Sequence, residues 1–122
     1  MCISPRDRDI LRALATQQAE IAALPVHREK AELWRRLNDL EPVRPLVWIN
    51  EIPWNEMNVN GELTLQVEDP WLRTVEETIR RTLYQWRHMP ADMIVNDYLA
   101  CPKVIRSTGV GLTEDVDIVR TD

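Results

Sequence analysis

Arg44-Pro45-Leu46-Val47-Trp48-Ile49-Asn50-Glu51-Ile52-Pro53-Trp54-Asn55-Glu56-Met57 is the stretch on which the reading of this chain turns. A short apolar run, Leu46 to Ile49, stops at an amide and a carboxylate, and two tryptophans and a proline fall within the same few residues. A run of that length bounded by turn formers reads as a short strand. It lacks polar alternation, as a strand covered on both faces does. A buried strand that ends in polar residues sets those residues on the rim of a pocket.

Two helices precede it. Ser4 and Pro5 form a cap and a first-turn proline, with Asp7 three residues after Ser4. Ile10, Leu11, Leu14, Ile21 and Leu24 then recur at helical spacing up to Pro25. From about His27 to Leu40 a second helix carries a stripe of Leu33, Leu37 and Leu40 with Trp34 beside it. Its other side is charged, with Lys30, Arg35 and Arg36 among its solvated residues. The two make a helical hairpin, and Glu41-Pro42-Val43-Arg44-Pro45 is a stiff connector.

Downstream, Asn58-Val59-Asn60-Gly61 marks a turn, and Asp69-Pro70 opens the clearest helix. Leu72, Val75, Ile79, Leu83 and Trp86 form its apolar stripe, and Glu76–Arg80 and Glu77–Arg81 pair at i,i+4. Met89-Pro90 ends it, and a second apolar run, Met93 to Val95, empties into Asn96, Asp97 and Tyr98. Strand, helix and strand in that order predict a parallel pair with a right-handed crossover. The expected fold class is therefore α/β. The expected organisation is a helical region over residues 1–42, then a βαβ unit over residues 43–122 that finishes in a mobile acidic tail from Thr113 to Asp122.

Composition narrows the function classes. The chain has 122 residues, 44% hydrophobic and 29% charged, enough for one packed domain. Its net charge of -5 disfavours nonspecific nucleic-acid and anionic-membrane binding. No apolar run approaches a membrane span, and the charged N-terminus lacks the apolar core of a secretory signal. Two cysteines make no disulfide framework, and with no export signal the expected location is cytoplasmic. His27, His88, Cys2 and Cys101 show no metal-ligand spacing, so no metal site is expected.

If the two strands are neighbours, Asn50 and Glu51 at the end of the first converge with Asp97 and Tyr98 at the end of the second. Glu51 and Asp97 then form an acid/base pair or a seat for a cation, or else they satisfy loop backbone groups and cap helices. Trp48 and Trp54 form an aromatic wall for a flat or methylated ligand, or pack beneath a loop. Glu56, two positions after Trp54, is a further candidate for that cleft. No catalytic residue is assigned.

Arg44, Pro45, Val47 and Trp48 resemble the Arg-Pro-x-Val-Trp that opens the barrel of the uroporphyrinogen decarboxylase-like superfamily. Trp48-Ile49-Asn50-Glu51-Ile52-Pro53-Trp54, Glu62-Leu63-Thr64-Leu65-Gln66 and Trp86-Arg87-His88-Met89 with Asp92-Met93 are similar to a bacterial branch related to cobalamin-dependent methyltransferases. The resemblance implies an N-terminal helical region followed by the first βαβ part of a (β/α)₈ barrel, truncated here. It implies cobalamin or zinc only in the part of the barrel this chain lacks, with no cofactor in the chain itself. The decarboxylases carry an arginine-containing stretch after the tryptophan where this chain has Ile49, Asn50 and Glu51, and a carboxylate there repels carboxylate substrates. A (β/α)₈ barrel needs at least about 200 residues. The expected product is thus an N-terminal fragment, inactive alone, whose strand edges pair with the remainder of a barrel or with a second copy. A small helical interaction module and a stand-alone ligand binder are the alternatives.

Overall fold

The computed structural model describes residues 3–105 together with residues 107, 109 and 111. Four helices follow in order: α1 (Pro5–Ala22), α2 (Val26–Asn38), the single turn α3 (Trp54–Met57) and α4 (Pro70–His88). The caps read from the sequence form. The Ser4 hydroxyl accepts the Asp7 N–H at 3.0 Å, and Asp69 accepts the N–H groups of Trp71 and Leu72. The tail expected at Thr113 to Asp122 lies outside the described residues.

The core is the seam between α1 and α4. Leu14, Ile79 and Leu83 are buried there, with Ile10, Ile21 and Val75 packed against them. Each fully buried aliphatic side chain contributes about 1.5–3 kcal/mol. Asp7, near the start of α1, meets the chain just before α4, and Gln17 meets Arg87 at the end of α4. The two helices therefore run in the same direction.

α2 departs from expectation. Its only buried residue is His27, while Leu37 is 38% and Leu40 92% exposed. Leu37 and Leu40 of the leucine stripe face outward, and Leu33 is half-buried. The helix ends in a Schellman motif, with Glu41 N–H donating to the Arg36 carbonyl at 2.9 Å and Leu40 N–H to that of Leu37 at 3.1 Å. Leu40 occupies the left-handed position with φ 61°, where glycine is the usual residue.

The α/β expectation is overturned: among the described residues there is no strand, and so no βαβ unit or portion of a barrel. Leu46–Ile49 and Met93–Val95 do lie near each other, and Asp92 N–H donates to the Val47 carbonyl at 3.0 Å. That bond does not grow into a ladder, and side chains instead take main-chain groups in and beside the two runs. Lys30 Nζ donates to the Ala91 carbonyl, Trp34 Nε1 to that of Asp92 and Gln18 Nε2 to that of Asn96. His27 Nδ1 accepts the Val95 N–H at 3.2 Å, and Gln85 Nε2 donates to the Ile49 carbonyl.

Candidate functional site

Three buried carboxylates hold the irregular segments against the helices. Asp7, 2% exposed, accepts the N–H groups of Glu68 and Asp69 at 3.1 and 3.2 Å. Glu76, fully buried on α4, accepts the N–H groups of Gln66 and Val67 and the Nε of Arg80 at 2.7 Å. Burial opposes its charge, yet the Val67 and Gln66 N–H groups and the Arg80 guanidinium outweigh that and hold its carboxyl below the ordinary range. The i,i+4 pairing of Glu76 with Arg80 read from the sequence forms, with Glu76 at the centre of the packing.

Asp92 governs the Arg44–Trp48 stretch. Its carboxylate takes a two-pronged contact from Arg44, at 2.5 and 3.1 Å, and the Val47 N–H at 2.8 Å. The Arg44 guanidinium and then the Val47 N–H bring its pKa down to about 2. The approach to Trp48 is thereby fixed.

The six expected site residues do not converge. Trp48 is half exposed and meets Trp34 edge-on, with ring centroids 6.2 Å apart. Trp54 opens α3 and meets Tyr84 edge-on at 6.1 Å, while the Arg81 guanidinium lies 5.3 Å from its ring centroid. The two tryptophans thus serve separate packing units and form no common wall. Asn50 and Glu51 are exposed and line none of the cavities described below. Asp97 lines two shallow hollows on the far side of the 91–96 segment, one of about 240 Å³ beside His27 and Arg28 and one of about 250 Å³ beside Gln18, Tyr98 and Leu99. Tyr98, the next residue in the chain, lines the second hollow with Asp97, and Glu51 has no place in either.

The cleft best furnished with polar groups lies between α3 and α4. It measures about 240 Å³ and brings Trp54 against Asn58, Glu77, Arg80 and Arg81. A neighbouring hollow of about 330 Å³ shares Trp54 and Arg81 and adds Glu56, so Glu56 does share a wall with Trp54. The polar groups of the cleft are bound internally: Arg81 to Glu77 at 2.6 Å, Arg80 to Glu76 and the Glu62 carbonyl, Asn58 to Thr64 and the Leu63 N–H. Such a cleft braces the 58–63 turn. A larger groove, about 440 Å³ and mostly apolar, runs between Trp71 and Val75 on α4 and the Leu99–Val104 segment.

Among the described residues no group of three or more His, Cys, Asp and Glu side chains is placed to hold a metal ion, and no helix is long and apolar enough to cross a membrane. The buried polar set, Asp7, Gln18, His27, Glu76 and Asp92, went unremarked as a set in the sequence. Only Asp7 carried a signal, through its offset from Ser4. Its backbone N–H is what Ser4 engages, and its carboxylate reaches 61 residues along the chain. Comparison with protein-family models, with curated proteins and with solved structures found no match.

Proposed function

We propose that this chain is a helical interaction module that associates with a second copy of itself through the face built by α2 and Val47–Trp48. One observation carries the reading: an amphipathic helix buries a single histidine and leaves Leu37 and the following Leu40 exposed, with Leu33 and Trp34 half-buried. Leu37 follows Trp34 by three residues and so shares its face, and Trp34 is in turn packed against the half-exposed Trp48. Val47 beside it is 53% exposed. Exposed apolar side chains clustered in this way are a feature of association sites, and tryptophans are favoured anchors in them. The Arg44–Asp92 contact and the Trp34–Asp92 hydrogen bond hold the face in one arrangement before any partner arrives, which lowers the entropic cost of association.

The test is sedimentation equilibrium on the purified chain. At roughly 100 μM, a contact of about −5.5 kcal/mol populates the dimer appreciably. The double substitution Leu37→Ser with Trp48→Ser removes the apolar face and shifts the equilibrium to monomer. A wild-type chain that stays monomeric at that concentration, or a double variant that associates as well as wild type, overturns the proposal.

A further inference from the structure

We propose that His27 is an acid-released latch: while its ring is neutral, Nδ1 holds the Val95 N–H and helps to dock the 91–96 segment on the helical hairpin, and a proton on the ring removes that acceptor and loosens the segment at Val95.

The geometry determines the tautomer. Nδ1 accepts from a main-chain N–H at 3.2 Å, so in the neutral ring the hydrogen sits on Nε2. Nε2 is buried and has no hydrogen-bond partner among the described residues. Protonation would place two N–H groups face to face at Val95, where the ring is held by packing. It is 5% exposed, and the ring of Trp86 lies against it with centroids 4.9 Å apart. The charged and titratable groups around it oppose one another. Lys30, one turn along α2, has its Nζ bound to the Ala91 carbonyl and lying 5.4 Å from the Trp86 ring centroid. Arg28 and Asp97 line the hollow at its side, and the Ile21 carbonyl on α1 is near enough to favour a charged ring. Burial dominates and, with Lys30, keeps the ring harder to protonate than a free histidine despite Ile21. The sign follows. The latch is fully closed above the unfolded-state value of about 6.5 and opens as pH falls through the lower folded-state value.

What the latch holds is defined by its neighbours. Val95 is 3% exposed, and the same segment carries Asp92, which in turn holds Arg44 and Val47. Opening at Val95 therefore loosens the arrangement around Trp48 as well.

The experiment is an NMR titration of the wild-type chain from pH 7.5 to 4.5. It follows the His27 ring proton signals together with the exchange protection of the Val95 amide, after correction for the intrinsic pH dependence of exchange. The chain has two histidines, and a His88→Gln variant assigns the ring signals. Val95 protection is expected to fall by about fivefold, the equilibrium change of one net hydrogen bond, with the midpoint at which the His27 ring titrates. In His27→Gln, whose side-chain oxygen still accepts the Val95 N–H, protection is independent of pH over this range. Persistence of the pH response in His27→Gln overturns the latch. Should that variant not fold, the wild-type titration decides alone: a Val95 midpoint that differs from that of the His27 ring, or protection that does not change, overturns it equally.

Discussion

Replacing Glu76 by alanine removes the acceptor on which the approach to α4 depends. The side chain is fully buried and takes three contacts of 2.9–3.0 Å from the N–H groups of Gln66 and Val67. It also receives the Nε of Arg80, whose own side chain is 13% exposed. After truncation the two N–H groups lose their partner, and Val67 is itself fully buried. A buried donor left unpaired costs about 1–3 kcal/mol, and breaking a buried ion pair by deleting one member costs about 3–5 kcal/mol. These terms overlap, because Arg80 keeps its bond to the Glu62 carbonyl at 3.1 Å. The expected loss for Glu76→Ala is therefore about 4 kcal/mol, against a total of about 5–15 kcal/mol for a domain. Glu76→Gln keeps one acceptor oxygen and the shape, and should lose about 1–2 kcal/mol. Urea denaturation followed by circular dichroism measures both, and amide exchange at Gln66 and Val67 locates the change. A Glu76→Ala chain within about 1 kcal/mol of wild type, or one whose Val67 amide stays fully protected, refutes the assignment of this carboxylate as the anchor of the 66–67 segment.

Two further outcomes follow from the same geometry. Asp92→Asn removes the charge that Arg44 grips on two prongs, so the melting temperature drops and exchange at Val47 rises, while exchange at Val67 on the opposite flank stays unchanged. Leu40→Gly relieves a left-handed residue at φ 61° that is 92% exposed, and is expected to raise stability by about 0.5–1 kcal/mol in a thermal melt.

The helices were legible in the sequence because each carries a local signal. Ser4 with Pro5 and Asp69 with Pro70 mark starts, and the α4 stripe of Leu72, Ile79 and Leu83 is buried as its spacing requires. The stripe of α2 carries the same signal, and there it misleads. Spacing tells which residues share a face but not whether anything covers that face. Leu46–Ile49 and Met93–Val95 likewise have the composition of buried strands, and the two segments are neighbours. What their composition cannot reveal is that His27 takes the Val95 N–H while Lys30, Trp34 and Gln18 take the carbonyls of Ala91, Asp92 and Asn96 that flank the second segment. A single residue such as Gln18 has no periodicity, and its partner lies 78 positions away. The candidate site failed for the same reason. Convergence of Glu51 with Asp97 required a paired sheet, and without one Glu51 stays exposed while Asp97 turns toward His27 and Gln18.

Holding extended segments by side chains rather than by a ladder has a consequence for how the molecule responds to acid. A ladder of main-chain hydrogen bonds is indifferent to pH over the range where side chains titrate, whereas His27, Glu76 and Asp92 among the anchors here are ionisable. Each titratable anchor releases as its own group titrates. The contribution of His27 is complete above about 6.5 and disappears as pH falls through its lowered folded value. The carboxyl of Glu76 is held below the ordinary range, and its contribution is lost as pH falls through that lowered value. Asp92 is brought to about 2 by Arg44 and Val47. Acid should therefore loosen Val95 together with the titration of His27, and Val67 together with that of Glu76. A single cooperative acid transition, with Val95 and Val67 losing protection at one common pH, is incompatible with separate release and would mean that the anchors act as one unit.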